Sequence, residues 1–320
     1  MIEVNDAARQ VPPIRRQTTL KNAIHCSGTA IHHGGHVTMA MLPAPAGHGI
    51  VFRRTDIVGG GLSIPADWRH VADMPMCTAL ESEGVQIATI EHLMAALSGC
   101  GIDNLLIEIN GPELPIMDGS SWPFVFLIEC AGISELEAPR RFLKILSHVS
   151  IGTGGRSVAL MPAEGFSLSF EVDYDSGAIA RQNGELSLVD GAFKNELSRA
   201  RTFGFLHEVD ALRAAGLARG ASLDNSIVIT GDGILNEGGL RFPDEFVRHK
   251  MLDALGDLYL AGAPILGRFE GHCSGHKLNH RLLRALFQRR EAWCWTESNA
   301  PESTPESGLD SAQRAAGFAG

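Results

Sequence analysis

Phe246-Val247-Arg248-His249-Lys250-Met251-Leu252-Asp253-Ala254-Leu255-Gly256-Asp257 carries a helical period and a row of ionisable groups at once. At 3.6 residues per turn, positions four apart stack on one face, so His249, Asp253 and Asp257 line up among Phe, Val, Met, Leu and Ala. The spacing predicts a helix over 246–260 that ends before Gly262, with Pro264 opening a strand. Such a row is either a solvated His/Asp face or a buried one, and buried ionisable groups need partners. A divalent metal is one partner that a His and an Asp one turn apart can serve.

A second helix is expected over 90–96, closed by Ser98-Gly99 and leading through Gly101-Ile102-Asp103-Asn104 to a strand over 105–109. Glu91-His92 opens it, and two readings stand: a capping glutamate beside a core histidine, or part of a metal site. On the second reading His92, His249 and Asp253 form a His2Asp set that leaves a position open for water. Glu91 then points about 100° round the helix from His92 and can reach that water without being a ligand. A third element, Gly271-His272-Cys273-Ser274-Gly275-His276-Lys277, reads as a glycine-bounded turn. His276 on it could protonate a leaving group, with Asp257 orienting the ring.

Alternating runs over 37–42, 105–109, 157–160 and 167–172 read as strands. The helix, glycine, strand order after Glu91-His92 returns after His249-Lys250, which points to a duplicated α+β unit. The charged, proline-containing segment 134–141 separates two regions of comparable length and is expected to link two domains. Residues 296–320 hold few large apolar side chains and are expected to be a disordered tail.

Composition narrows the function. With 320 residues, 44% hydrophobic and 20% charged, the chain can fill a sizeable core, so collagen-like, disordered and disulfide-scaffold classes are excluded. Its 27 Lys and Arg against 37 Asp and Glu give a net charge of −10, the wrong sign for a broad nucleic-acid face, and no nucleic-acid partner is expected. No apolar run approaches a membrane span and residues 1–16 hold no signal core, so a cytoplasmic protein is expected. The six cysteines lie far apart with no CxxC, which suits a reducing compartment and sends the search for metal ligands to the 13 histidines and the carboxylates. Competing patterns fail: His207-Glu208 has no second histidine to complete HExxH, and neither a P-loop nor a GxSxG elbow is present.

Further motifs fall in a familiar order and spacing: Thr89-Ile90-Glu91-His92-Leu93, Pro115-Ile116-Met117-Asp118-Gly119-Ser120, Arg201-Thr202-Phe203-Gly204-Phe205, Leu240-Arg241-Phe242, Glu245 to Asp253, and Ser274-Gly275-His276. From about residue 17 to 295 the chain resembles the LpxC family of zinc-dependent UDP-3-O-acyl-N-acetylglucosamine deacetylases of lipid A biosynthesis. The resemblance implies an α+β fold of two similar domains, each a β-sheet packed against two helices, with the active site between them. On it, residues 1–16 are an extension, 17–137 domain one and 138–295 domain two, carrying an inserted βαβ element at about 202–230.

It also implies one Zn2+ per chain, with Fe2+ as the other metal to consider, on His92, His249 and Asp253, with Glu91 as general base and His276, backed by Asp257, as the cation beside the leaving group. Lys250 and Thr202 match positions near the oxyanion, Phe203 one near the substrate, and His32 one near the catalytic pocket. Leu206, Val209, Leu212, Ala218, Ser222 and Val228 fall on the insert that holds the acyl chain. The expected partner is the UDP-linked acylated glucosamine, handled by a monomer. One departure is Cys273, where some members carry a basic residue that meets the nucleotide phosphates. Whether Glu91 or His276 protonates the leaving amine stays open. A metal-binding or nucleotide-binding scaffold without turnover would need the ligands but neither Glu91 nor His276, and an amidase on another acylated amino sugar would differ only in its pocket.

Overall fold

Strand pairing in the two halves of the chain repeats one plan. The structure, a computed structural model, describes residues 15–57, 62–189, 191–231 and 233–297. The first half runs β1 (Arg16–Leu20), β2 (Ile24–Thr29), β3 (His36–Pro43), β4 (Ile50–Arg54), β5 (Ser63–Pro65), β6 (Val71–Ala72), β7 (Ala79–Ser82), β8 (Val85–Ala88), α1 (Glu91–Cys100), β9 (Leu105–Ile109), α2 (Trp122–Ala131) and β10 (Ile133–Pro139). The second runs β11 (Phe142–Ile145), β12 (Val149–Thr153), β13 (Arg156–Met161), β14 (Phe166–Asp173), β15 (Arg181–Ser187), β16 (Phe203–Phe205), α3 (Val209–Ala214), β17 (Ile227–Thr230), β18 (Gly233–Ile234), α4 (Glu245–Tyr259), β19 (Ile265–His272), α5 (His276–Gln288) and β20 (Trp293–Thr296).

In the first sheet, β9 pairs antiparallel with β3 of the β2–β3 hairpin and parallel with β4, which pairs with β5. In the second, β19 pairs antiparallel with β13 of the β12–β13 hairpin and parallel with β14, which pairs with β15. The central strand follows the long helix in both, α1 before β9 and α4 before β19, and a further helix follows it, α2 and α5. The α+β class and the duplicated unit expected from the sequence are both seen in this order. One hydrophobic cluster runs through both halves, and α1 and α4 pack on each other within it.

Three local expectations need adjusting. Helix α1 runs on past Ser98-Gly99 and stops at Gly101, whose left-handed backbone (φ 73°) is the first residue the helix cannot accommodate. Segment 134–141 is mostly strand: β10 pairs antiparallel with β1 from Leu20↔Ile133 to Arg16↔Pro139, and the expected boundary at 137/138 falls inside it. Its charges alternate with half-buried positions, the period of a strand with one solvated face. His276 sits on the first turn of α5, not in a loop. Of the expected extension and tail, only Arg15, Arg16, Thr296 and Glu297 lie within the described residues.

Candidate active site

Helix α4 is buried along nearly its whole length, and His249 and Asp253 are 2% and 3% exposed on it. Its start is fixed by Glu245, fully buried, which accepts hydrogen bonds from the Arg201 backbone N–H (3.0 Å) and Nε (2.9 Å). A carboxylate in the first turn also complements the helix dipole. This clamp brings segment 200–203 to α4, where the Ala200 carbonyl accepts from His249 Nδ1 at 3.1 Å. With Nδ1 carrying the proton, Nε2 is left with a lone pair facing the site.

His92, on the first turn of α1, meets this pair. One ligand atom each from His92, His249 and Asp253 lie within 4.8 Å of one another, with both imidazole Nε2 atoms facing Asp253 Oδ1 at 3.6 and 3.3 Å. Neither Asp253 Oδ1 nor His92 Nδ1 has a hydrogen-bond partner among the described residues, though both are buried. Burial lowers the His249 pKa to about 3, so the ring is neutral and able to ligate. Lys250 Nζ donates to Asp253 Oδ2 at 2.6 Å. Burial opposes charge on both, yet His249 and Lys250 hold the Asp253 carboxyl well below its ordinary value, and Asp253 holds the Lys250 ammonium above its own. Two imidazoles and a carboxylate with a free oxygen suit a divalent ion.

Glu91, also on the first turn of α1, is 4% exposed, and burial pushes its carboxyl up. Its Oε2 accepts from the Thr78 backbone N–H at 3.0 Å, and its Oε1 lies 3.9 Å from His276 Nε2. His276 Nδ1 donates to Asp257 Oδ2 at 2.8 Å. Burial alone would lower the His276 pKa; the Asp257 charge outweighs it and raises the value to about 9. The same contact works on Asp257, whose burial favours the neutral acid but whose carboxyl His276 and His280 hold below the carboxylate range. The site therefore pairs a carboxylate made basic by burial with an imidazolium made durable by its partner, a few ångströms apart.

Phe203 stacks edge-on 6.1 Å from the His249 ring and 5.0 Å from Phe246. Thr202 donates its N–H to the Gly119 carbonyl at 2.8 Å, two residues from the carbonyl that holds His249. The insert forms β16–α3–β17, with β16 and β17 parallel and β18 added at the edge. Ala218 is buried, Val209, Leu212 and Val228 are half-buried, and Leu206 and Ser222 are exposed. His32 reaches the insert from the first half: its Nδ1 accepts from the Ala218 N–H at 3.4 Å, and its carbonyl from the Arg219 N–H at 3.2 Å. Burial lowers its pKa, with His276 adding to the effect. Gly220 continues this seam, donating to the Ile31 carbonyl at 2.9 Å so closely that a Cβ built there would stand 2.3 Å from the Ala30 oxygen. Cys273 is half-buried on a left-handed backbone (φ 46°) at the end of β19.

Sequence reasoning missed Glu245, Thr78, Asn279 and His280. The last three surround Asp257: Thr78 Oγ1 donates to Oδ1, Asn279 Nδ2 donates to Oδ2 at 2.8 Å, and His280 Nε2 lies 3.4 Å from Oδ1. His276 and His280 one turn apart were the available signal for the last.

Among the described residues no helix is long and apolar enough to cross a membrane, and all six cysteines are free. Comparison with known proteins matches residues 17–288 to the family described as LpxC, UDP-3-O-acyl N-acetylglycosamine deacetylase. The chain is 50% identical over 294 residues, covering 90% of itself and 96% of the relative, to a protein of Acidithiobacillus ferrooxidans named UDP-3-O-acyl-N-acetylglucosamine deacetylase. Proteins with the same name from Phenylobacterium zucineum (50% identical; 87% and 95% covered) and Haemophilus influenzae (46%; 93% and 98%) are similar over nearly their whole lengths.

Proposed function

The chain belongs to the LpxC family, and from that premise we propose that it hydrolyses the acetamide of a UDP-3-O-acyl-N-acetylglucosamine, releasing acetate, in lipid A biosynthesis. The observation that carries the reading is the convergence of His92, His249 and Asp253 beside two groups that are not ligands, Glu91 and His276. A scaffold that merely held a metal would need the first three alone.

His92, His249 and Asp253 would hold the ion, one Zn2+ per chain, and the orphaned Asp253 Oδ1 fits that assignment. When bound, zinc polarises a carbonyl and makes a water ligand acidic near neutral pH. Glu91 then takes a proton from the attacking water, whose oxygen bonds to the acetyl carbon. The carbon–nitrogen bond breaks as the nitrogen receives a proton, and both the proton Glu91 has taken and the one His276 holds are available for it. Asp257 keeps His276 oriented and charged, Lys250 fixes the Asp253 carboxylate, and Thr202 serves the oxyanion, a kind of contact whose loss costs roughly 3 kcal/mol. Phe203 and His32 border the substrate, and Leu206, Val209, Leu212, Ala218, Ser222 and Val228 form the acyl-binding wall. The reading includes a monomeric enzyme in the cytoplasm, a reducing compartment that the six free cysteines suit.

The test is metal content per chain measured together with acetate release from the UDP-linked acylated glucosamine. We expect one zinc per chain and loss of acetate release on chelation. Release that is independent of metal, or none from the loaded protein, would overturn the reading.

A further inference from the structure

We infer that Thr78 is a positioning residue that sets the spacing between the two proton-transfer groups, its backbone holding Glu91 and its hydroxyl holding Asp257 and, through it, His276. The inference rests on the deacetylase reading above but concerns a residue outside the metal ligands and the reacting groups.

Thr78 is fully buried just before β7. Its N–H donates to Glu91 Oε2 at 3.0 Å, and its Oγ1 donates to Asp257 Oδ1. The same Oγ1 lies 3.1 Å from His280 Nε2 and 3.2 Å from His276 Nδ1. A hydroxyl has one proton and two lone pairs, so the bookkeeping is tight. Asp257 is an acceptor only, and the Thr78 proton goes to it. The two ring nitrogens must then be donors, His276 through Nδ1–H, shared between Asp257 Oδ2 at 2.8 Å and the hydroxyl, and His280 through Nε2–H. This makes His276 Nδ1 and His280 Nε2 donors and leaves His276 Nε2 turned toward Glu91 Oε1, 3.9 Å away.

Asp257 is thus held at both oxygens: Oδ2 by His276 and Asn279, Oδ1 by Thr78 with His280 behind. Remove the hydroxyl and Oδ1 keeps only the longer approach of His280, so the carboxylate can turn about its Cβ–Cγ bond and take the imidazole with it. Because one residue's main chain and side chain reach the two groups, Thr78 ties the Glu91 carboxylate of α1 to the Asp257 carboxylate of α4 at the point where chemistry needs a fixed distance.

Thr78→Val keeps the shape and the N–H and deletes the hydroxyl; Thr78→Ser keeps both donors. We expect Thr78→Val to lower kcat by roughly 10- to 100-fold, the usual effect of losing such a supporting partner, with KM and zinc content unchanged, and Thr78→Ser to restore kcat to near wild type. His280→Leu should fall in the same direction, and His280→Gln, which retains a donor, should recover; this pair decides the matter if Thr78→Val does not fold. Wild-type kcat in Thr78→Val, an equal loss in Thr78→Ser, or a loss that tracks zinc content would overturn the inference. A wild-type protein that releases no acetate would remove the deacetylase reading and this inference with it, whereas an active wild type beside an active Thr78→Val removes the inference alone.

Discussion

Gly256 of α4 lies directly on the backbone carbonyl of Glu91 in α1: a Cβ built on Gly256 would stand 2.1 Å from that oxygen and 3.2 Å from the Ala95 nitrogen. The obstacle is backbone, which cannot swing aside as a flexible side chain can. Gly256→Ala must therefore push the two helices apart, and it should cost about 3 kcal/mol or more, the upper end of overpacking effects. The shift in the midpoint of chemical unfolding measures this. Activity should fall with it, because Asp257 and the Glu91 side chain sit on either side of the contact.

His92→Ala, His249→Ala and Asp253→Ala should each lose metal and activity together while circular dichroism stays close to wild type. Elemental analysis is the check. Full zinc occupancy in any one of them would take that residue out of the ligand set.

Glu91→Gln should separate metal from turnover. The amide keeps the volume but cannot accept a proton, so zinc should remain while kcat falls by on the order of 10²-fold or more. A variant that loses its metal but keeps full activity per bound zinc would mean Glu91 is a ligand.

The pH dependence follows from His276. Its folded value is raised to about 9 against an ordinary 6.5, so the His276–Asp257 interaction contributes stability that is fully present below about 6.5 and is lost as pH rises through about 9. The imidazolium disappears over the same window, and kcat/KM should decline on its alkaline side there. His276→Gln should abolish both the alkaline stability loss and that limb; an unchanged limb assigns it to another group.

The acyl wall can be tested through the substrate. Each buried methylene contributes about 0.8 kcal/mol, so shortening the acyl chain should lower kcat/KM by about fourfold per carbon. Leu206→Glu, at a position that is 46% exposed and so tolerant of charge, should depress turnover of long-chain substrates with zinc still bound. Equal processing of acylated and deacylated UDP-sugar would leave a general amidase in place of the proposed enzyme.

Much of this arrangement is written in local periodicity. Helix α4 and its His249, Asp253, Asp257 row follow from a spacing of four, and the α+β order from glycine-closed helices that lead into short alternating strands. The rest depends on contacts between distant segments. Thr78 precedes a four-residue strand and carries no periodic signal, so its place beside Asp257, 179 residues on, is settled only by tertiary contact. Glu245 reads as an ordinary helix-start carboxylate until Arg201 folds over it. His280 stands one turn beyond His276 on α5, but the glycines before it, Gly271 and Gly275, point to a turn rather than a helix start. The charges of 134–141 look like a connector because the partner that makes them a strand, β1, lies more than a hundred residues away.

The insert is tied down unevenly. At Ala218, Arg219 and Gly220 its backbone is stitched to Ile31 and His32, and there is no space for a Cβ at Gly220. Across α3, by contrast, no residue is buried. Mutational drift should therefore be confined at one end and free at the other: residues 218–220 are held by the first half of the protein, whereas 206–214 can change side chains without disturbing the core. On the proposed acyl-binding reading, selection for a different acyl length has a place to act there, on a surface whose alteration leaves folding and metal binding to other parts of the chain.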